Sequence, residues 1–427
     1  MGRTVIGLIV AISLPIAAIA GVSARTQDAT GAVAFANGYW LANGAFVAGT
    51  RYVVGGRFID AAPAAISRTI DLGGRFVVPP FGEAHNHNTS KAQLAKYFSQ
   101  GIFYVKNPNS FPGDRARAGG LINTPSTPDV VFAGGGLTSP GGHPSSIIDR
   151  GILRGTMTER DGEGTFYYGI ADRADLGRRW PEILAGRPDF IKVYLLFSEA
   201  FATRRSDAKA RGWRGLDPAL LPDVVNRTHA AGLRVSAHVE SAADFELAID
   251  AGVDEVSHLP GFRGPAPDVS VRPQLFDITD TLAQRAAGKN AIVVTTASGA
   301  EELPNEDPLR KVVEAHVVKS LRRLHEAGVP IALGSDRYEF TSLDEARYLL
   351  RLGIFDNATL LRLWCENTAA TIFPNRNVGK IETGAEASFL VLDGNPIEDF
   401  DAVTRISMRV KQGVVAEPTT TEGRSAR

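Results

Sequence analysis

The sequence has only one cysteine, almost no net charge and few internal hydrophobic runs. Cys365 is the only cysteine among 427 residues, which excludes an intramolecular disulfide. The 46 basic and 47 acidic side chains leave a net charge of -1, which gives no indication of a nucleic acid or an anionic membrane surface as a partner. Beyond the N-terminal region, no run of apolar residues is long enough to cross a bilayer. We therefore expect stability to come from a hydrophobic core, with metal binding as a possible addition.

The first 24 residues have the composition of a secretory signal peptide. Arg3 precedes a weakly polar to apolar stretch at residues 5–20, and residues 22–24 resemble a cleavage site. An uncleaved membrane anchor is the alternative, although the stretch is shorter than the roughly 20 apolar residues that a span needs. We expect a secreted or periplasmic protein that has no stable membrane insertion after the signal is cleaved.

Strand patterns with glycine turns occupy both ends of the remaining chain. They cover residues 25–78 and 375–417, and we expect them to pair as one small split β-sandwich domain. Residues 418–427 look like a polar tail. With 44% hydrophobic and 22% charged residues, the chain has the composition of a globular protein, and its length suits a large barrel with an accessory domain.

Residues 79–374 form the barrel part, in which apolar runs alternate with helix signals. The eight runs begin at the end of the first β-rich segment and lie at residues 76–78, 102–105, 130–132, 190–195, 233–237, 255–257, 291–294 and 330–333. Three helices have clear boundaries: one is capped by Asp217, one is capped by Ser241, and one spans residues 315–327. This alternation predicts an α/β fold, a (β/α)8 TIM barrel with its active site at the C-terminal strand ends. Residues 125–165 are expected to form loops over that opening.

Two histidines, His85 and His87, end the first predicted barrel strand. Residues i and i+2 of a strand point to the same side, so the two imidazoles would converge and could bind a metal ion. Two histidines at this spacing can also simply line one face of a strand. Four further polar residues lie within or at the ends of later strands, namely Lys192, His238, His258 and Asp336. Each alone has a structural explanation, but six such residues at one end of a barrel indicate a shared function.

This set of residues resembles the site of the amidohydrolase superfamily, a group of metal-dependent hydrolases, and in particular its two-metal members. The resemblance spans about residues 32–415 and includes the split β-domain. Imidazolonepropionase-like and Xaa-Pro dipeptidase-like members are the most similar, and the segment from Ser139 to His143 is similar to one found there. The sequence departs from the pattern at Glu83, where an aspartate is usual, and in the bulky residues that follow Lys192.

The resemblance implies two divalent metal ions, with zinc as the expected metal. The first ion would be bound by His85, His87 and Asp336, and the second by His238 and His258. Lys192 would take up CO2 and bridge the ions as a carbamate, because desolvation favours its free amine. Two such ions lower the pKa of a shared water and polarise the scissile carbonyl. Asp336 would accept the proton from that water and pass it to the leaving group.

The implied reaction is hydrolysis of a C–N bond in a small molecule, such as an amide, a cyclic amide or a dipeptide. A lactone, ester or organophosphate hydrolase, a one-metal deaminase and a non-catalytic metal-binding barrel remain alternatives. The one-metal deaminases usually carry a glutamate three residues after the strand-five histidine. That position is Ser241 here, and the nearby glutamate is Glu240. This difference favours the two-metal hydrolase.

Four residues on loops near the strand ends are candidate substrate contacts. They are His143, Tyr194, Arg263 and Arg337. Each could equally lie at the rim without touching a substrate. The partner that we expect is a small-molecule substrate, and the chain could also form a homo-oligomer.

Overall fold

The computed structural model describes residues 31–261 and 266–416. The predicted signal peptide, Arg263 and the predicted tail at 418–427 lie outside these described residues. The strands are, in chain order, β1 (Val33–Ala42), β2 (Ala45–Val54), β3 (Arg57–Ile59), β4 (Arg68–Asp71), β5 (Phe76–Val78), β6 (Phe81–Glu83), β7 (Ile102–Asn107), β8 (Asp129–Phe132), β9 (Gly136–Thr138), β10 (Tyr167–Gly169), β11 (Ile191–Tyr194), β12 (Val235–His238), β13 (Glu255–Ser257), β14 (Ile292–Val294), β15 (Ile331–Ala332), β16 (Phe389–Leu392), β17 (Ile406–Lys411) and β18 (Val414–Ala416).

Helices occupy most of the connections between the later strands. They are α1 (Lys91–Ser99), α2 (Asp114–Ala118), α3 (Ser145–Leu153), α4 (Arg173–Ala185), α5 (Phe201–Ser206), α6 (Leu221–Ala230), α7 (Ala242–Ala251), α8 (Ala266–Val271), α9 (Asp280–Gly288), α10 (Pro308–Glu326), α11 (Ser342–Arg351), α12 (Asn357–Arg362) and α13 (Thr368–Ile372). Across the ranges that the structure describes, none of them combines the length and apolar character needed to span a membrane.

Strands from both ends of the chain share one eight-stranded sheet. Its hydrogen-bonded order is β18-β17-β16-β5-β1-β2-β3, and β4 also pairs with β1. The sheet has a hydrophobic core of its own around Phe389, whose ring lies edge-on to Phe35 and Trp40 at centroid distances of 4.9 and 5.3 Å. The domain predicted as a β-sandwich is thus one connected sheet that buries its own aromatic cluster.

The other ten strands are parallel and form two sheets. One has the order β6-β7-β8, and the other has the order β10-β9-β11-β12-β13-β14-β15. Backbone hydrogen bonds join the sheets in two places: Ala84 donates to the carbonyl of Leu333 at 2.8 Å, and Asp189 donates to the carbonyl of Phe132 at 2.9 Å. Because the strands within each sheet run in the same direction, their C-terminal ends lie at a common edge.

The chain passes from the eight-stranded sheet to the parallel strands at Pro79 and Pro80. The prediction that residues 76–78 form the first barrel strand is wrong, because these residues are β5 and pair with β1 and β16. The strand before the two histidines is β6. Proline has no backbone N–H to donate, so one ladder cannot continue through two consecutive prolines.

The helix boundaries follow the predicted caps in two cases out of three. Asp217 caps a short 3-10 turn that leads into α6, and Ser241 caps α7. The third predicted helix is α10, which begins earlier than residue 315 because Asp307 caps it and Pro308 occupies its first position. Residues 125–165 are also more regular than predicted, since they contain β8, β9 and α3.

A buried ion pair connects the eight-stranded sheet to the parallel strands. Nζ of Lys411, on β17, lies 2.6 Å from Oδ1 of Asp129, at the start of β8. The ammonium also donates to the carbonyls of Thr124 and Thr127, both at 2.7 Å. Arg376 adds a second cation, 2.9 Å from the other carboxylate oxygen of Asp129. This contact lies at the N-terminal end of β8, away from the C-terminal edge.

Candidate active site

Six polar side chains meet at the C-terminal edge of the parallel strands, where they line a cavity of about 1000 Å³. They are His85 and His87 after β6, Lys192 in β11, His238 at the end of β12, His258 after β13 and Asp336 after β15. We call these six residues the site cluster. The structure thus brings together all six residues that the sequence analysis singled out.

His85, His258 and Asp336 form the most compact part of the site cluster. Their potential metal-binding atoms all lie within 4.8 Å of one another. Nε2 of His85 is 3.6 Å from one carboxylate oxygen of Asp336, and Nε2 of His258 is 3.9 Å from the other. The backbone N–H of Asp336 donates to the carbonyl of His85 at 2.7 Å, which fixes β6 and β15 relative to each other at this point.

His87 and His238 extend this group on two sides. Nε2 of His87 lies 3.2 Å from the Asp336 carboxylate, so both histidines of the HxH motif face that group. The ring of His238 lies 4.6 Å from the ring of His258, measured between centroids. The compact group of His85, His258 and Asp336 takes members from both ligand groups that the resemblance implies, so the division of the ligands between two ions stays a prediction.

Three histidines of the site cluster are oriented by hydrogen bonds to residues outside it. The bonds join His87 Nδ1 to the carbonyl of Asn109 (3.2 Å), His258 Nδ1 to Thr296 Oγ1 (2.7 Å) and His238 Nε2 to Glu240 Oε1 (3.0 Å). Metal-binding histidines usually make such a bond through one ring nitrogen, because it fixes the tautomer and directs the other nitrogen.

The hydrogen bonding and protonation of the histidines bear on whether these residues fit a metal ion, and His85 differs from the others. Its Nδ1 is buried and has no hydrogen-bond partner within residues 31–261 and 266–416. This nitrogen is not the one that faces Asp336, so His85 lacks the orienting hydrogen bond that the other three histidines make. Burial also holds the pKa values of His85 and His258 well below the usual value, because desolvation penalises the charged form. Neutral imidazoles are the form that binds metals, so the residues present fit divalent cations.

Lys192 is the cation nearest to these histidines, and it is only 1% exposed. Its Nζ donates to Oγ of Ser257 at 3.0 Å. Burial lowers the pKa of Lys192 to about 7, although the carboxylates of Glu255 and Asp336 oppose this shift. Near neutral pH, Lys192 is therefore an uncharged amine in a large fraction of the molecules, and the uncharged amine is the form that adds CO2.

Glu83 replaces the aspartate that is usual in the resembling family, and it connects two strands. Its carboxylate accepts hydrogen bonds from the backbone of His85 at 3.2 Å and of Ser335 at 2.9 Å, and from the Ser335 hydroxyl at 2.9 Å. Burial raises the pKa of Glu83 to about 8. These hydrogen bonds hold the backbone next to His85 and Asp336 in place.

The predicted substrate contacts differ in their placement. His143 and Tyr194 line the cavity, and their rings lie 5.0 Å apart between centroids. The ring of His143 also stacks on His238 at 5.1 Å. Arg337 is not among the residues that line the cavity, and its guanidinium pairs with Glu301 at 2.9 Å, so a contact between Arg337 and a substrate stays a prediction. Arg263, as stated above, lies outside the described residues.

Three residues that orient the histidines were not predicted as part of the site. They are Asn109, Thr296 and Glu240. Each is the second residue after a strand end, after β7, β14 and β12 respectively. A search for polar residues at that position would have found them, because ligands bind beyond the C-terminal ends of parallel strands.

Comparison with known proteins adds a family match. The sequence model of the Amidohydrolase family matches residues 192–416, which include Lys192, His238, His258 and Asp336 but not the HxH motif. A search of curated proteins gave no match.

Solved structures resemble nearly the whole chain. A crystal structure of an amidohydrolase is 20% identical with a TM-score of 0.69, and the match covers 92% of this chain and 100% of that chain. An ochratoxinase from A. niger is 18% identical with a TM-score of 0.69, covering 90% and 95%. A Xaa-Pro dipeptidase with bound methionine is 18% identical with a TM-score of 0.67, covering 90% and 100%. At these identities the likeness shows a common fold.

Proposed function

The chain belongs to the amidohydrolase family, and from that premise we propose that it uses two divalent metal ions to hydrolyse a C–N bond in a small amide, cyclic amide or dipeptide. One observation carries the proposal: the donor atoms of His85, His258 and Asp336 lie within 4.8 Å of one another at the edge of the parallel sheet. A carboxylate between neutral imidazoles is a donor set that suits zinc.

The ligands divide into two groups. His85, His87 and Asp336 would hold one ion, His238 and His258 would hold the other, and a carbamate on Lys192 would bridge them. When bound, such ions lower the pKa of a water molecule and polarise the carbonyl that it attacks. The carbamate would form by addition of the Lys192 amine to CO2 with loss of a proton, and the lowered pKa of this lysine supports that proposal.

Asp336 is the proposed proton carrier. Its carboxylate lies 3.6 Å from His85 and 3.2 Å from His87, at the wall of the cavity. In hydrolysis it would accept the proton that the attacking water loses and deliver it to the leaving amine. His143 and Tyr194 line the same cavity and would contact the substrate.

We also infer that the two parallel sheets form one closed (β/α)8 barrel. The backbone bonds Ala84 to Leu333 and Asp189 to Phe132 support closure, because they link the outer strands of the three-stranded sheet to strands of the larger sheet. Closure would bring all six members of the site cluster around one opening, as the proposed reaction requires.

To test the proposal, the metal-reconstituted enzyme is incubated with a panel of N-acyl amino acids, dipeptides, cyclic amides, lactones and an organophosphate, and hydrolysis is measured. The metal content of the same protein is measured in parallel. Release of amine from an amide, together with two bound ions, is the expected result. If only the lactone or the organophosphate were cleaved, the enzyme would be a lactone or organophosphate hydrolase and the proposed C–N bond would be wrong. Release of ammonia by a protein that binds a single ion would favour a deaminase. A protein that binds no metal would favour a non-catalytic barrel.

We propose export as well, to a secreted or periplasmic location. The basis is the apolar N-terminal stretch at residues 5–20. Sequencing the N-terminus of protein purified from cells tests this, since an intact Met1 would contradict cleavage of a signal.

A further inference from the structure

Part of the cavity lining consists mainly of apolar groups that the proposed chemistry does not use. We call it the α3 wall, and it consists of Phe111, Ile147, Arg150, Phe166 and Trp213. The rings of Phe111 and Phe166 stack at 4.6 Å between centroids. Trp213 is 51% exposed, which is unusual for so large an apolar side chain. Apolar surface beside a reactive site is a place to bind the apolar part of a substrate.

The α3 wall is fixed in place by contacts behind it. Asp149, on α3, forms a two-point ion pair with Arg211, at 2.8 and 2.9 Å. Gly212 donates its backbone N–H to the carbonyl of Gly141 at 2.9 Å. A side chain at Gly212 would meet Ser146 at 2.4 Å, so glycine is needed for α3 and the Trp213 segment to approach this closely. These contacts preform the wall, which reduces the ordering cost of binding.

Arg150 is the charged member of the wall, and its guanidinium makes no hydrogen bond or ion pair within the described ranges. Arg117, which also lines the cavity, pairs with Asp114, and Arg211 pairs with Asp149. Arg214 donates to backbone carbonyls, that of Pro140 among them. A guanidinium presents several donors that match the two oxygens of a carboxylate. Arg150 therefore offers an available site for an anion next to an apolar surface.

We propose that the substrate is an anionic amide with a bulky apolar group, of the N-acyl amino acid or short-peptide class. Its carboxylate binds Arg150, and its apolar group lies against Phe111, Phe166 and Trp213. This inference rests on the proposed function, since it takes the reactive C–N bond to lie at the site cluster. Arg150 and Trp213 would then set specificity without taking part in the chemistry.

The experiment compares matched amides on wild type, Arg150→Gln and Arg154→Gln. Arg154 caps the C-terminus of the same helix, is exposed and does not line the cavity, so its variant controls for loss of charge. The compounds are N-phenylacetyl-leucine, its carboxamide, and N-acetyl-leucine. Binding of the first two is also measured by calorimetry in an Asp336→Asn background, which gives a readout that does not depend on turnover.

For Arg150→Gln we expect kcat/KM and affinity for the carboxylate compound to fall about tenfold or more, from the loss of a charge-assisted hydrogen bond. The carboxamide should change less than about twofold, and Arg154→Gln should resemble wild type. Trp213→Ala should reduce kcat/KM for the phenylacetyl compound more than for the acetyl compound. Equal binding of carboxylate and carboxamide, or an unchanged Arg150→Gln, would overturn the inference. Selective binding through Arg150 without cleavage of any amide would instead overturn the proposed function and leave the binding site standing.

Discussion

The imidazole of His258 is hydrogen-bonded through Nδ1 to the hydroxyl of Thr296, at 2.7 Å. Thr296 has a φ of 45°, a left-handed conformation that is uncommon for a β-branched residue. The carboxylate of Glu345, on α11, holds this turn by accepting the N–H groups of Ala297 and Ser298, each at 2.7 Å. Glu345 is fully buried and does not line the cavity. A helix on the outside thus fixes the ring that we propose as a ligand of the second ion.

Removing the hydrogen bond between Thr296 and His258 should weaken metal binding without unfolding the chain. In Thr296→Val the hydroxyl is lost at nearly constant volume, and we expect the affinity for the second ion to fall by about 10- to 100-fold. Thr296→Ser keeps the hydroxyl and should retain most of the affinity. Metal content after dialysis against graded chelator concentrations measures the effect. If the valine variant bound both ions as tightly as wild type, the hydrogen bond would have no role in the site.

Asp336→Asn tests the proposed proton carrier. The amide keeps an oxygen for the metal but cannot take up a proton near neutral pH, so we expect kcat to fall by about 10²- to 10⁴-fold while both ions remain bound. Steady-state kinetics and metal analysis on the same preparation give both quantities. Asp277→Asn is the matched control, because Asp277 pairs with Lys319 on the surface, away from the site. An unchanged kcat in Asp336→Asn would refute the assigned role.

Lys192→Ala tests the bridging carbamate. Without the lysine, we expect the protein to bind fewer metal ions, since the proposed bridge between the two ions is lost. Reconstitution of the wild type should improve with added bicarbonate, and that dependence should disappear in the variant. Added acetate could supply the missing carboxylate and restore part of the metal content. Two bound ions in Lys192→Ala without any additive would contradict the bridge.

The site could be predicted from the sequence because parallel strands place their C-terminal ends together. His238, His258 and Asp336 each follow an apolar run, and alternation with helices fixes the direction of every run. Local information of this kind was enough to collect the site cluster. It could not show that Arg337 turns toward Glu301, because that ion pair depends on how the two loops pack.

The fold was predicted less completely where hydrogen bonding is non-local. Residues 76–78 have the same apolar pattern in either sheet, and only their pairing with β1 and β16 identifies them as β5. β9 has just three residues, and its first residue is the last of three consecutive glycines that begin at Gly134. Glycine in such number indicates turns, so the strand signal was too weak to detect.

The buried contact between Lys411 and Asp129 should stabilise the whole chain, because it joins the eight-stranded sheet to β8. Their side chains are 0% and 5% exposed. Lys411→Met removes one buried charge and leaves the Asp129 carboxylate with Arg376 alone, and we expect the free energy of unfolding to fall by about 3 kcal/mol. Lys319→Met removes a comparable but exposed pair with Asp277, and it should cost at most about 1 kcal/mol. Denaturant titration of both variants measures the difference, and equal losses would mean that the buried pair does not hold the two parts together.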